Sequence, residues 1–388
     1  MRAAIRESKK TMKRVGYLYK EICDLENCKA AILTASKGKR NRKNVKKVLD
    51  NLEDRAKDLQ KMLMEHSYKP SPYTIRYIND GIKQKRRRLA KPRFWPDQCI
   101  HHALDRVMER VIMRGMDYYC CGSVRGRGAA RAKHGIKKWI IHKPKKAKYV
   151  FKMDVHKYYD SISHEEMMKC IERKVKDPEV LWLYRVILES YDAVDPEQST
   201  EEHEVFRTGY GIPIGIDPSR WLCNLFLEHI DHEMRRFLGS DYFMTRYVDD
   251  IVVIGPNKRK LHKLKLFLDR ALGMIQLTVK KTWQVFKLAK RPIDFLGFKF
   301  HKDGHISIRK TILKRIKRKL RKLRRMPKIT LRNATGMVAY MGWVKGSDSQ
   351  YFYSHNITGK VKITRLRRII SHEGKVHRKT GSDVVRAA

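Results

Sequence analysis

The sequence predicts an α+β fold in which an antiparallel sheet is backed by helices, with further helical segments at both ends. Three observations carry this. Residues 243–254 read as strand, two-residue turn, strand, which makes an antiparallel pair. Tyr149–Asp154 is a second β-type run, followed by helical patterning. Towards both ends, apolar residues recur at three- and four-residue spacing among charges.

Taken in chain order, residues 1–68 form a helical extension, in which Leu18, Ile22 and Leu25, then Val48, Leu52 and Leu59, mark the buried face. Between them Lys37–Lys47 (KGKRNRKNVKK) reads as a basic loop. A second basic run, Lys83–Arg93, precedes a helix around Ile100–Met113. After the strand Tyr149–Asp154, helices are expected near His164–Val175 and Glu179–Tyr191. Asp192–Glu204 is acidic with Pro and Ser, hence an exposed loop. The Gly-rich stretch GYGIPIGIDPS leads into a helix at about Ser219–Phe237. A helix at Lys260–Met274 follows the strand–turn–strand unit, then a strand pair carrying Trp283–Phe286 and Phe295–Phe300. From Arg309 the composition shifts: Ile312, Ile316, Leu320 and Leu323 fall on one helical face, and the other is almost wholly Lys and Arg. The predicted boundaries are 1–68, 69–307 and 308–388.

The charge narrows the partners. Lys and Arg number 88 against 41 acids, a formal charge of +47. Such an excess repels itself unless a polyanion is bound, and nucleic acid is the usual one. No apolar run approaches the roughly 18 residues a membrane helix needs, and the N-terminus lacks an apolar signal core. A cytoplasmic protein with no membrane partner is expected. The seven cysteines include no C-x-x-C pair and read as reduced structural thiols.

The chemistry sits in FMTRYVDDIVVIG. Asp249 and Asp250 fall at the turn, where adjacent carboxylates repel unless cations neutralise them; Asp is also common in turns for purely structural reasons. Asp154, ending its own β-run, adds a third carboxylate. Three acids from two segments suit Mg²⁺, which takes few protein carboxylates and fills its shell with water and phosphates. Two such ions clamp the attacking and leaving oxygens of an in-line displacement. Asp160 reads as a capping or structural acid.

FKMDVHKYYDSI, GIPIGIDPSRWLCNLFLEHIDHEM, RYVDDIVVIG, LTVKKTWQVF and DFLGFKF occur in the order of the reverse-transcriptase motifs lettered A to E. Upstream, RRRLAKPRFWPDQCIHHAL and CGSVRGRGAARAKHGI resemble the two finger motifs that precede them. The resemblance covers roughly residues 80–345. It implies a right-hand polymerase, with fingers and palm over 69–307 and a thumb over 308–388. Two Mg²⁺ ions, with Mn²⁺ as a substitute, would be held by Asp154, Asp249, Asp250 and the Val155 carbonyl. Tyr159 matches the aromatic gate that excludes a ribose 2′-hydroxyl. Arg88 and Lys91 match finger cations on the deoxynucleoside triphosphate, with Arg86, Arg87 and Arg93 as neighbours open to the same role. Arg127 either contacts template backbone or caps a loop. Lys280, or else Lys281, matches the lysine that protonates leaving pyrophosphate. Phe295, Leu296, Gly297 and Phe298 match the primer grip, and Lys314 and Arg318 lie on the thumb helix that follows the template RNA–cDNA duplex.

Within the family, WQVF followed by DFLGFKF, and YMGWVKGSDSQYFYSHNI at 340–357, resemble the enzymes of diversity-generating retroelements. Ile214–Gly215 replaces a common Gln-Gly, and an isoleucine cannot hydrogen-bond a nascent base pair. That group usually reads I-G-N-x-x-S-Q, whereas here Ile216 and Arg220 replace Asn and Gln. The resemblance implies error-prone copying at template adenines and a small basic accessory protein, for which Asp192–Glu204 is a candidate contact. It also implies a bacterial or phage-encoded enzyme. The alternatives are a phage-defence reverse transcriptase and a non-catalytic, maturase-like RNA-binding module. No HNH-like motif is seen, and beyond Arg309 only Asp348, Glu373 and Asp383 are acidic, too sparse for an RNase H site.

Overall fold

The computed structural model describes residues 13–80, 85–195, 198–200 and 203–382. The N-terminal segment folds as α1 (Leu18–Cys23), α2 (Leu25–Ser36), α3 (Lys43–Leu49) and α4 (Leu52–Met64). The Asp24 side chain caps α2 by accepting the Asn27 amide at 3.1 Å. Leu18, Ile22 and Leu59 are buried as their spacing requires. The basic loop is shorter than expected: it ends at Arg42, because Val45 and Val48 bury one side of α3. These helices do not pack alone. Their apolar residues belong to one continuous core with the centre of the chain.

A ribbon of β1 (Thr74–Asp80) and β2 (Lys85–Lys91) is antiparallel, with Tyr77 opposite Arg88. Helices α5 (Cys99–Met113) and α6 (Gly128–His142) precede β3 (Tyr149–Asp154). Next come α7 (Tyr158–Ser161), α8 (His164–Glu172), α9 (Pro178–Glu189) and a small hairpin, β4 (Ala193–Val194) with β5 (Phe206–Arg207). The predicted helix over 219–237 is two helices, α10 (Asp217–Phe226) and α11 (Glu228–Leu238). Leu227, at φ −97° and ψ 1°, leaves helical geometry and turns the chain so that Phe237 stacks on Phe267 of α12 (Lys258–Gly273). Between α11 and α12 lie β6 (Phe243–Tyr247) and β7 (Asp250–Gly255).

The central sheet is antiparallel in the order β6-β7-β3-β8, with β8 at Gln284–Lys287. The expected pairing of 283–286 with 295–300 does not form. β8 instead joins β3, with Phe286 opposite Val150. Residues 293–308 make their own sheet of β9 (Ile293–Phe295), β10 (Phe298–Phe300) and β11 (Ile306–Ile308). The cause is local: Leu296 and Gly297 both take positive φ (52° and 85°), which folds the chain back within two residues.

Four helices close the chain: α13 (Lys310–Arg324), α14 (Leu331–Lys345), α15 (Gln350–Asn356) and α16 (Ile363–Ser382). Ile312, Ile316, Leu320 and Leu323 bury against Ala334, Met337, Met341, Val344 and Leu366, a cluster distinct from the main core. All seven cysteines are free, and six are buried. Among the described residues no helix is long and apolar enough to cross a membrane.

Candidate active site at the Asp154–Asp249 cluster

Asp154 ends β3 and pairs in register with Asp250 at the start of β7, so the two side chains leave the same face of the sheet. Val248 and Asp249 form the turn before β7. Val248 has φ 59°, a left-handed conformation that a β-branched side chain resists. What holds it there is Arg246, a buried residue of β6. Its Nη1 donates to the Val248 carbonyl at 2.8 Å and to Asn224 Oδ1 at 3.2 Å. Its Nε reaches both Asp231 oxygens at 2.8 and 2.9 Å, and its Nη2 reaches Asp231 at 2.6 Å and the Asn224 carbonyl at 3.1 Å. Burial works against the Arg246 charge, but Asp231 outweighs it and holds the guanidinium above its ordinary pKa.

Gly122 closes the cradle from the other side. Asn224 Nδ2 donates to its carbonyl at 2.6 Å, and a Cβ at position 122 would lie 2.5 Å from the Val248 amide nitrogen. Gly122→Ala should therefore push the turn bodily. The expected result is a roughly 10- to 100-fold lower kcat with little change in nucleotide KM, the scale of an ångström-level misplacement. Steady-state single-nucleotide incorporation checks this.

The acids are short of positive charge. Burial, then the facing Asp154 carboxylate, pushes Asp249 up to about 7. Burial also raises Asp250 to about 6, with Lys152 opposing. Asp250 Oδ1 is buried without a hydrogen-bond partner. Lys280 Nζ lies 2.9 Å from Asp154 Oδ2, and its amide donates to the Asp154 carbonyl. The Val155 amide faces the Asp249 carbonyl at 3.3 Å. Among the described residues no three His, Cys, Asp or Glu side chains gather as a ready cation cage. Asp154 and Asp249 face each other, while Asp250 Oδ2 lies 3.8 Å from Lys152 Nζ. Hard oxygen donors, two of them raised for want of positive charge and one oxygen unpartnered, nevertheless suit the chemistry of a bound Mg²⁺.

Around the acids, Tyr159 is half-buried and burial raises its phenol, as do Cys223 and Asp249, while Arg87 opposes. Its carbonyl accepts the Ile212 amide, so α7 is tied to the Gly-rich loop. That loop docks on β2: the Ala90 amide donates to the Ile214 carbonyl at 2.9 Å. Gly215, at φ 126°, has no room for a Cβ, which would stand 2.7 Å from the Ala90 oxygen. Ser219 Oγ closes the loop onto the Pro213 carbonyl. The two departures from the usual motif have local homes: Ile216 is buried, and Arg220 pairs with Asp217, which also binds His102 at 2.6 Å.

The structure separates Arg88 from Lys91. Three apart on a strand, they face opposite sides. Arg88 donates to the Tyr191 hydroxyl at 3.0 Å and lies over the Tyr191 and Phe206 rings. Lys91 lines a cleft of about 320 Å³ with Lys39, Arg42, Arg93 and Trp95. The arginine whose charge reaches Tyr159 is Arg87. Arg127 caps a loop, donating to the Asp117 and Cys120 carbonyls. Phe295 and Phe298 are buried on either side of the Leu296–Gly297 turn, and Gly297 abuts Ile312 of α13 and Trp343 of α14. Lys314 and Arg318 are exposed on α13; Arg318 also lines a groove of about 710 Å³ with Arg315, Lys319, Lys322 and Arg332. Asp160 lies inside α7, not at its cap.

Sequence reasoning passed over Arg246, Asn224, Asp231 and Gly122. One signal was available: an arginine inside an otherwise uncharged, largely apolar strand must find a buried counter-ion.

Comparison with known proteins identifies the family. The COX1/OXI3 intron 2 protein of Saccharomyces cerevisiae is 21% identical over 261 residues, covering 52% of this chain and 29% of that protein. Among solved structures, apo telomerase from Candida tropicalis aligns with a TM-score of 0.50 at 11% identity, covering 81% of this chain and 65% of that one. Telomerase from Candida albicans with a fragment of telomeric RNA aligns at 0.48 and 13%, covering 76% and 57%. The chain thus spans less than a third of the curated relative and less than two thirds of these telomerase chains; the latter likeness is one of fold alone. Residues 83–300, more than half of the chain, match the family described as reverse transcriptase (RNA-dependent DNA polymerase), and the chain belongs to that family.

Proposed function

We propose that the chain is an RNA-directed DNA polymerase that extends a primer on an RNA template with deoxynucleoside triphosphates. The observation that carries this reading is the clamped turn that sets Asp249 against Asp154 and Asp250 in register with Asp154, with the Asp249 and Asp250 carboxyls raised and one Asp250 oxygen unpartnered, within the family-matched region. Two bound Mg²⁺ ions, or Mn²⁺ in their place, would supply Lewis-acid activation of the primer hydroxyl and charge neutralisation on the leaving pyrophosphate. The three aspartates and the Val155 carbonyl would hold them. Lys280, paired with Asp154, would protonate the leaving group, with Lys281 as the alternative. Tyr159 excludes ribose, and Arg87 joins Arg88 and Lys91 as a candidate for the triphosphate. Ile214 and Gly215 border the nascent pair. Arg127 supports the template side through the loop it caps.

In this reading the architecture is a right hand. The β1–β2 ribbon belongs to the fingers and the four-stranded sheet is the palm. Phe295–Phe298 grip the primer, and the thumb over 308–388 carries Lys314 and Arg318 along the duplex backbone. Residues 1–68 are the extension. Primer extension on an RNA template with Mg²⁺ tests the activity, and full activity in a variant carrying Asp249→Asn with Asp250→Asn would refute the site.

We place the chain in the diversity-generating retroelement group, a cytoplasmic enzyme of bacterial or phage origin with a small basic accessory protein. Of the acids proposed to meet that partner, Glu204 accepts the Tyr77 hydroxyl and faces Arg88, so it is engaged within the chain. Glu197, Glu201 and Glu202 lie outside the described residues. Ile216 and Arg220 favour a second reading, a phage-defence enzyme. A neighbouring template and variable repeat that differ only at adenines supports the first, and phage protection without such repeats supports the second. Ile214→Gln is expected to lower misincorporation opposite template adenine several-fold, read by sequencing of cDNA; an equal or higher error rate counts against the role of Ile214.

A further inference from the structure

A continuous chain of polar contacts runs from the catalytic turn to the C-terminal helices, and none of the roles above uses it. It starts at Asp250, whose Oδ2 lies 3.8 Å from Lys152 Nζ. Lys152 Nζ donates to the backbone carbonyl of Asp294 at 2.6 Å. The Asp294 carboxylate accepts from Arg309 through Oδ1, at 2.8 Å from Nε and 2.5 Å from Nη2. Arg309 is the N-cap of α13, and its amide donates to the Gly297 carbonyl at 2.9 Å. Lys152 belongs to the strand that carries Asp154, so Asp294 joins that strand to the first turn of α13.

A second anchor lies at the far end of α14. Asp348 accepts the Ile306 amide at 2.7 Å and donates its own amide to the Ile306 carbonyl at 2.8 Å, while Lys133 Nζ reaches the Gly346 carbonyl at 2.7 Å. With that end held, the Asp294–Arg309 pair fixes the near end and the angle at which α13 leaves the β9–β10 turn. The pair is half open to solvent, 42% exposed at Asp294 and 26% at Arg309, so it adds little to overall stability. An arginine fork on a carboxylate is nevertheless directional. Geometry without much stability is the property a positioning contact needs.

We infer that Asp294, tied to Lys152 on one side and Arg309 on the other, is a positioning residue that keeps the thumb in register with the catalytic turn. It governs how many nucleotides are added in one binding event and leaves the chemistry of each addition unchanged. The inference rests on the reading of α13–α16 as the thumb of a polymerase.

The test compares the full chain with Asp294→Ala, Arg309→Ala and the charge swap Asp294→Arg with Arg309→Asp. Product lengths are measured on a primed RNA template with a trap that prevents rebinding. Each single variant should shorten the mean product roughly two- to five-fold, the scale of one partly exposed ion pair. Single-nucleotide kcat and nucleotide KM should stay at wild-type values, and the swap should recover more than half of the lost length. Wild-type lengths in Asp294→Ala overturn the inference. So does a swap no longer than the single variants, the outcome if Arg309 only grips a phosphate. Hydrogen exchange gives an independent reading without nucleotides. Peptides spanning 306–316 should exchange faster in Asp294→Ala and slow again in the swap, while Ile251–Ile254 stay protected. If the wild type extends no primer, the polymerase reading fails, and the exchange pattern alone decides for or against the Asp294 tether.

Discussion

Asp249→Asn is expected to lower nucleotide addition by at least about 10³-fold while leaving the metal-free protein as stable as the wild type or more so. The loss follows from the charge that a carboxylate brings to a divalent-cation site, which is worth several kcal/mol in the transition state. The retained stability follows from the position of Asp249. Its pKa is raised to about 7 by burial and by Asp154, so without a cation the folded state holds this proton more tightly than the unfolded chain does. For an acid raised in this way, the stability contribution is present at low pH and is lost as pH climbs from about 4 towards 7. Asparagine carries no such penalty at pH 8. Thermal melts at pH 5.5 and pH 8, with and without Mg²⁺, check both halves. Mg²⁺ should raise the wild-type Tm more at pH 8 than at pH 5.5, where protons compete for the same oxygens, and should do much less for Asp249→Asn. An equal Mg²⁺ shift in the two proteins would remove Asp249 from the ligand set.

The second large effect concerns folding. Asp231→Ala should cost about 3–5 kcal/mol, because it strands the Arg246 guanidinium in a site where both partners are only 1% exposed. Burial pushes the Asp231 carboxyl up and Arg246 opposes it, so the pair depends on each partner being present. Replacing both at once, Asp231→Leu with Arg246→Met, should recover much of that loss, since neither then leaves a charge unpaired. Urea titration measures the stability. The double variant should nevertheless stay poor in nucleotide addition, because nothing then donates to the Val248 carbonyl. If the double variant is as unstable as Asp231→Ala, the buried charge is not the cause.

How much of this was legible in the sequence depends on the range over which each feature is encoded. The hairpin at 243–254 and the run ending at Asp154 could be read because strand periodicity and turn residues are local. The register that sets Asp154 against Asp250 follows once those two strands pair. The partner of β8 could not be read, because the turn at Leu296–Gly297 decides it and Leu296 is an unusual residue at positive φ. The break at Leu227 was equally hidden, and with it the placing of Asp231 and Asn224 beneath Arg246. The separation of Arg88 from Lys91 was within reach, since two-residue alternation alone puts them on opposite faces. The family motif drew both to one ligand, whereas the strand cation whose charge bears on Tyr159 is Arg87.

The two ends of the chain bury their apolar residues differently. Helices α1, α2 and α4 share one oil-like interior with the strands that carry the aspartates, so shifting them would open the centre of the enzyme to water. Helices α13, α14 and α16 enclose an interior of their own. Apart from Trp343, which also packs on the β9–β11 cluster, their link to the rest of the chain runs through polar contacts at Arg309 and Asp348. Under the proposed activity, a departing duplex would pass between one side continuous with the catalytic interior and another joined to it mainly by polar contacts.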